Sequence, residues 1–423
     1  MKKSLFLAAL VLMSTVCFAQ KNPATKKAKN YMNAETPDFN AARTSIREAL
    51  ETEPTAETYF WAGMIGYKEV NAQNVSLMMG QGFDYAKAGE AAIESYEYWL
   101  KADELAQVPV LNKKGVEVPT DPKMRGKISK MMLEYYKGDE FTKVGVLVKY
   151  GSYLNDQRDF ARAYKAFRLH VDIPDLPMMQ DPKLQKEMVR DTTYYQYKSY
   201  AAQFAIRAEL HEEAIELLEQ LKDGETDAVL LNQYLYSEYA AMKDTAKVIA
   251  TLQHAIIRFP KEEFFVQNYV SYAVQAGSEE KAIEFFTKQI EGAPNDPLYY
   301  NKRGLMYEML DRYEEATLDY DKALEFDPNS VDAYAGKGRV LYNRAVKLNE
   351  DAAMIADNKE YKKALDEMNA VFRQSLPFFE KAHELDPSRE TIMQILKGLY
   401  YRFIEEPGME EKYNEMAEKL NNL

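Results

Sequence analysis

The amino-acid sequence predicts an all-α fold, a right-handed superhelical solenoid of about eight antiparallel helix pairs. Three prolines, Pro260, Pro294 and Pro328, are evenly spaced. Their period of about 34 residues is typical of one helix–turn–helix unit. Small and apolar residues recur at helical spacing between them. Proline lacks the N–H that a helix interior needs, so each one marks the end of a second helix.

The segment 297–330 carries the most complete copy of the pattern. Its helix-facing positions alternate between aromatic residues, which fill the space between helices, and small residues, which allow close approach. They are Tyr300, Gly304, Tyr307, Ala316, Tyr320 and Ala323. In these positions the segment resembles the tetratricopeptide repeat (TPR) family. Arg303 replaces the usual leucine, and the turn between the helices is predicted near Asp311.

Looser copies precede and follow this unit. The predicted organisation is a signal peptide over 1–19, TPR-like helical repeats over 20–175 with an inserted loop near 107–123, and a C-terminal TPR array over 176–423. The best repeats span 229–387. The break at 173–182 contains three prolines, Pro174, Pro177 and Pro182.

Two units are longer than the ordinary repeat. After Pro328 the next closing proline is Pro387, which comes well over one period later. The extra segment 349–372 is charged and has no proline or glycine, so it is predicted to lengthen both helices of a hairpin. The unit that begins at Glu57 is also stretched, and three glycines, Gly80, Gly82 and Gly89, predict a loop inside it. The segment 107–123 is predicted to be a loop or a small hairpin, with a partner-contacting protrusion as the alternative. This loop and the stretched hairpin near 349–372 are the alternative binding elements to a groove.

The first 19 residues have the features of a secretory signal peptide. Two lysines precede a short apolar run, and Cys17 and Ala19 place small residues three and one before a cut after Ala19. We therefore expect a mature chain that begins at Gln20 and resides in the periplasm or at the cell surface of a Gram-negative bacterium. Lipid attachment at Cys17 is the alternative, although Val16 is large for the position before a lipidated cysteine.

Composition narrows the classes of function. The net charge is −13, which opposes binding to nucleic acid and to anionic membrane surfaces. Cys17 is the only cysteine, so no disulfide or thiolate metal site is expected in the mature chain. The four histidines stand apart in the sequence, and no nucleotide-binding or metalloprotease motif is present. We expect no cofactor, no metal and no enzymatic activity.

The TPR resemblance implies a partner-binding groove lined by the first helix of each pair. Two of the expected groove residues, Gln267 and Asn301, carry amides suited to clamp the backbone of an extended peptide. The full set of candidates is Gln267, Ser271, Asn301, Glu308, Arg339, Tyr342 and Asn343. Surface residues of a second helix, such as Glu315 and Asp319, are expected to contribute little.

The predicted function is that of an exported, non-enzymatic scaffold for a protein or peptide partner. One alternative is a surface glycan-binding helical protein, a class that carries exposed tryptophans. Trp61 and Trp99 lie at or near repeat positions instead. The other alternative is an all-α hydrolase, which needs two buried carboxylates that face each other across a cavity.

Overall fold

The computed structural model describes residues 22–138 and 143–421. These residues form an all-α protein, as predicted. The predicted signal peptide, with Cys17 and the cleavage site after Ala19, lies outside the described residues.

The chain divides into two compact units, Met1–Thr245 and Ala246–Leu423. No helix in the described ranges is both long enough and apolar enough to cross a membrane.

The first unit contains eleven α-helices and one β-hairpin among its described residues. Its helices are α1 (Pro23–Met32), α2 (Phe39–Thr52), α3 (Ala56–Met78), α4 (Tyr85–Ala106), α5 (Pro122–Lys137), α6 (Val146–Asp156), α7 (Phe160–Asp172), α8 (Pro182–Glu187), α9 (Thr192–Arg207), α10 (His211–Leu221) and α11 (Ala228–Ala241). The hairpin strands are β1 (Pro109–Leu111) and β2 (Glu117–Pro119).

The next helix, α12 (Thr245–Arg258), begins at the boundary and lies in the second unit apart from its first residue. The second unit continues with α13 (Glu263–Gln275), α14 (Glu279–Gly292), α15 (Pro297–Met309), α16 (Tyr313–Phe326), α17 (Val331–Ala352), α18 (Asn358–Leu385), α19 (Glu390–Arg402) and α20 (Met409–Asn421).

Consecutive helices pack as pairs inside each unit. The pairs are α1–α2, α3–α4, α6–α7 and α9–α10 in the first unit, and α13–α14, α15–α16, α17–α18 and α19–α20 in the second. The second helix of one pair contacts the first helix of the next, as α14 contacts α15 and α16 contacts α17. Inside each unit, the helix pairs stacked in this way confirm the predicted helix-pair solenoid.

Four second helices end at the same distance before a proline. α12, α14 and α16 end two residues before Pro260, Pro294 and Pro328. The same offset separates α18 from Pro387, because proline disfavours the helical conformation of the residue that precedes it. The turn predicted near Asp311 is also confirmed, since Asp311 has a φ of 56° and follows the first helix of its pair.

The long hairpins are made of longer helices. α17 and α18 have 22 and 28 residues, so the segment 349–372 lengthens both helices as predicted. In the pair α3–α4, however, the loop predicted around three glycines is only partly right. Gly80 and Gly82 have positive φ values in the short connection. Gly89 lies inside α4, where it packs against the ring of Tyr150. Glycine is needed here because the ring comes too close for a side chain, and not because the chain forms a loop.

The segment 107–123 contains the small hairpin that the sequence suggested. β1 and β2 are antiparallel, with Val110 opposite Val118. After the hairpin, α5 packs on α3 and α4 as an additional helix. The proline-rich segment that follows α7 forms two short 3-10 turns and then α8, while α7 itself contacts α9 directly.

Candidate functional site

The first helices of the second unit lie side by side. α13 contacts α15, and α15 contacts α17, because each first helix packs on the pair before it. This arrangement places the predicted groove residues on three neighbouring helices. We call the surface formed by α13, α15 and α17 the first-helix face.

Glu308 is the centre of a buried hydrogen-bond network on this face. It is only 4% exposed. Its carboxylate accepts hydrogen bonds from the Tyr320 hydroxyl at 2.8 Å, from Arg339 Nε at 3.0 Å and from Asn343 Nδ2 at 3.3 Å. Three predicted groove residues, Glu308, Arg339 and Asn343, are therefore brought together. The Glu308 carboxylate, however, accepts hydrogen bonds from side chains of its own unit.

The charges of this network are set by the Glu308 carboxylate. Burial acts to lower the pKa of Arg339, but the nearby carboxylate outweighs it, so this pKa lies above its ordinary value. Burial raises the pKa of Tyr320, and the same carboxylate raises it further. Arg339 therefore remains a cation and Tyr320 remains a hydrogen-bond donor. The side chain of Arg339 as a whole is 34% exposed, although its Nε and Nη2 are committed to Glu308 and Tyr320.

Asn301 lies beside this network with an unused acceptor. The residue is 8% exposed, and its Nδ2 donates to Ser330 Oγ at 3.0 Å. Its Oδ1 is buried and has no hydrogen-bond partner. A cavity of about 160 Å³ adjoins it, lined also by Lys302, Leu305 and Arg339. A buried unpaired amide oxygen costs about 1–3 kcal/mol, so this oxygen favours a hydrogen-bond donor in the cavity.

The other candidates have different surroundings. Gln267 and Ser271 are exposed on α13, and the Ser271 hydroxyl donates to the Gln267 carbonyl oxygen at 2.9 Å. Tyr342 packs edge-on against Phe372 with ring centroids 5.1 Å apart, and it adjoins the apolar core of the last pairs. Gln267 and Ser271 are accessible to a partner, whereas Tyr342 is partly committed to packing.

The departure from the TPR pattern at Arg303 has a structural explanation. Its guanidinium donates two hydrogen bonds to Asp319, at 2.7 and 2.8 Å, and a third to Thr287 Oγ1 at 3.0 Å. Asp319 is 4% exposed. The expectation that Asp319 is an unimportant surface residue is therefore wrong, because it is the buried counter-ion of Arg303. The unusual arginine was the signal in the sequence, but its partner was not apparent.

Five buried carboxylates, including Glu308 and Asp319, each lie against an arginine or a histidine. Glu69 pairs with Arg43, Asp103 with Arg125, Glu238 with His211, Glu308 with Arg339 and Asp319 with Arg303. Each pair ties neighbouring helices together, and the four pairs that contain an arginine are typical of structural ion pairs. Across residues 22–138 and 143–421, no group of three or more His, Cys, Asp or Glu side chains is placed to hold a metal ion.

The histidines also take structural positions. His170 is buried, stacks on Tyr136 with ring centroids 5.1 Å apart, and leaves Nδ1 without a partner. Burial lowers the pKa of His170 to about 4, so the ring is neutral at pH 7. His211 Nδ1 lies 2.7 Å from Glu238.

Comparison with known proteins identifies the repeat. Residues 297–330, which form α15 and α16 with their flanking turns, match the tetratricopeptide repeat family. The chain is a TPR-containing protein. A curated relative, the protein SGT1 homolog of Bos taurus, is 39% identical over 62 residues. That match covers 15% of this chain and 18% of the relative, so the chain spans less than a fifth of that protein's length.

Solved structures of TPR proteins are also similar to this chain. A TPR repeats protein from Bacteroides fragilis is 18% identical, with a TM-score of 0.34, and the match covers 60% of this chain and 97% of that one. The C-terminal part of a TPR repeat-containing protein from Cytophaga hutchinsonii is 17% identical, with a TM-score of 0.36 and coverage of 65% and 95%. MamA from Desulfovibrio magneticus is 15% identical, with a TM-score of 0.29 and coverage of 46% and 96%.

Proposed function

We propose that this chain is an exported, non-enzymatic TPR scaffold that binds a protein or peptide partner through the first-helix face of its second unit, the concave face of a TPR array. Stacked helix pairs generally present an extended binding surface and carry out no chemistry themselves. The observation that supports this site most directly is the buried, unpartnered Oδ1 of Asn301 beside the partly exposed Arg339.

The chemistry of the first-helix face suits an extended peptide. A backbone N–H of the partner would donate to Asn301 Oδ1, and a backbone carbonyl or a carboxylate would accept from the exposed part of Arg339. Glu308 holds that guanidinium in place, so little conformational entropy is lost when the partner binds. Gln267 and Ser271 extend the same surface along α13.

The two alternative functions have less support among the described residues. A hydrolase needs two carboxylates that face each other, whereas four of the five buried carboxylates pair with an arginine and the fifth, Glu238, lies against His211. A glycan-binding surface of the tryptophan type needs exposed indoles. Trp99 is fully buried and donates through Nε1 to the Phe60 carbonyl oxygen at 3.3 Å. Trp61 is half-buried, with the Lys29 ammonium over its ring and its Nε1 donating to Glu57 at 3.2 Å.

Site-specific photo-cross-linking in the native host tests the proposed face. A benzophenone amino acid at position 267 or 271 should capture one defined partner, and Asn301→Ala should reduce that capture. The matched control is the same probe at Leu318, which is 65% exposed on the second helix α16. Equal capture from position 318, or capture insensitive to Asn301→Ala, would rule out this face as the binding site.

Arg339 and Tyr342 test how much the anchoring residues contribute. Alanine at either position should weaken partner capture by on the order of 2 kcal/mol. Arg339→Ala also leaves the buried Glu308 without its cation, so a loss of stability accompanies it. Arg339→Lys is therefore the better variant, since it keeps the charge beside Glu308 but loses the planar guanidinium. Reduced capture with a smaller loss of melting temperature than Arg339→Ala is the expected result.

The proposed location has its own test. Mass spectrometry of the protein purified from its native host should give a mature chain that begins at Gln20 and carries no lipid. A diacylated Cys17 at the N-terminus would show a membrane-anchored protein, and a chain that retains Met1 would exclude export through this signal.

A further inference from the structure

One face of the β-hairpin in the first unit carries four valines, with Asn112 and Thr120 at its two ends, and the described chain leaves it largely uncovered. The register pairs Val110 with Val118, and hydrogen bonds continue the ladder to Val108 and Val116. Residues opposite each other share a face, and the side chains alternate along a strand. All four valines therefore lie on one side. Val108, Val110 and Val116 are 51%, 42% and 55% exposed.

The tip of the hairpin adds positive charge next to this valine face. Lys113 and Lys114 are both exposed. The Asn112 side chain accepts from the backbone N–H of Lys114 at 2.8 Å and of Val116 at 3.1 Å, and Gly115 has a φ of 74°. These features fix the backbone of the turn, so the two lysines are held at the tip of the hairpin in a chain whose net charge is −13.

The hairpin is poorly suited to pair with another strand through its edges. The outward-pointing backbone groups belong to Pro109 and Leu111 on β1 and to Glu117 and Pro119 on β2. Proline has no N–H, so each edge keeps one outward donor, and prolines at such positions oppose strand addition. A partner would therefore contact the side chains of the valine face instead of extending the sheet.

We propose that the valine face is a docking surface for a partner protein segment that presents apolar side chains flanked by carboxylates. The apolar side chains would cover the valines, and the carboxylates would pair with Lys113 and Lys114. This site is distinct from the first-helix face and does not depend on the function proposed for it.

Two other occupants fit the observations less well. Two lysines give only a modest attraction to an anionic membrane, and the net charge of −13 opposes that attraction. A second copy of the chain would bring two such hairpins together, but four partly exposed valines on each are too small for a stable dimer, which buries roughly 1,200 Å² or more.

A peptide array tests the proposed docking chemistry. The full chain is applied to short immobilised peptides of four designed compositions: acidic and apolar, basic and apolar, acidic and polar, or basic and polar. The wild-type chain should bind the acidic, apolar peptides preferentially. Val110→Ser with Val116→Ser should reduce this binding about tenfold or more. Lys113→Glu with Lys114→Glu should transfer the preference to the basic, apolar peptides, because the charge complementarity is reversed.

The matched control is Leu111→Ser, which lies on the opposite face of the same hairpin and is 70% exposed. It should leave peptide binding unchanged. All substituted side chains are solvent-accessible, so the melting temperatures should stay the same. The proposal is overturned if the Lys113 and Lys114 reversal leaves the preference unchanged, or if Leu111→Ser abolishes binding equally. It is also overturned if the wild-type chain binds none of the peptides. That conclusion holds whether or not the chain binds vesicles of phosphatidylcholine and phosphatidylserine, and whether or not it self-associates in analytical ultracentrifugation.

Discussion

Alanine at Gly336 should destabilise the second unit, whereas alanine at Gly304 should have little effect, although both glycines face the same ring. The ring of Tyr320 lies between them. A Cβ at Gly304 would lie 3.0 and 3.2 Å from two ring carbons, and 3.3 Å from the Asp319 Cβ. A Cβ at Gly336 would overlap Cζ of the ring and lie 2.5 and 2.7 Å from its two Cε atoms.

The expected magnitudes follow from two opposing contributions. Replacing glycine by alanine inside a helix stabilises the helix by roughly 0.5–1 kcal/mol. At Gly304 a shift of a few tenths of an ångström relieves the contact, so the net change is about zero. At Gly336 the ring has no room to move, because Tyr320 is 1% exposed and its hydroxyl donates to Glu308. Overpacking costs about 1–3 kcal/mol, and a rigid ring favours the upper part of that range, which leaves a net loss of up to about 2.5 kcal/mol.

Thermal and urea denaturation of the full chain, followed by circular dichroism, measures both variants. Gly336→Ala should lower the midpoint of the second unit, and Gly304→Ala should leave it nearly unchanged. A double-mutant cycle with Tyr320→Leu isolates the contact. In that background Gly336→Ala should become neutral or stabilising. If Gly336→Ala is as stable as the wild type, or if its cost persists without the ring, the packing described here for α16 and α17 is wrong.

Three further outcomes are expected. The folded-state pKa of His170, about 4, lies below the unfolded value of 6.5. Its contribution to stability is therefore present above pH 6.5 and is lost as the pH falls towards 4, by up to about 3 kcal/mol; His170→Phe should flatten that part of the pH profile in urea titrations. Asp319→Ala removes the counter-ion of a buried arginine and should cost on the order of 3 kcal/mol, while Glu315→Ala on the same helix should change the free energy of unfolding by less than about 0.5 kcal/mol. Gly89→Ala would direct a methyl group into the Tyr150 ring and should lower the melting temperature of the first unit, which would not happen if Gly89 lay in a loop.

The helix pairs could be predicted from the sequence because their signals are local. The signals are a proline just beyond a helix end, a small residue at each close approach and an aromatic residue at each interhelix gap. Each of them acts within a single repeat unit. For this reason the best repeat, the turn at Asp311 and the lengthened hairpin of α17 and α18 were correctly placed. A glycine can indicate either a loop or a close helix contact. At Gly89 the sequence favoured the loop, which is wrong.

The details of the candidate sites depended on tertiary contacts. Glu308 and Arg339 are far apart in the sequence, and a charged residue at a groove position is indistinguishable there from one on the surface. Only the packing of α17 on α15 and α16 buries the carboxylate, so only the structure shows that its arginine is held in place. The valine face likewise required the strand register, since a shift of one residue would direct the same side chains to opposite sides.

The sequence determined which segments are helices and where they end, because those preferences act over a few residues. The tertiary structure decided which polar groups are buried, paired or left with an unused hydrogen-bond acceptor, because burial depends on residues that are distant along the chain.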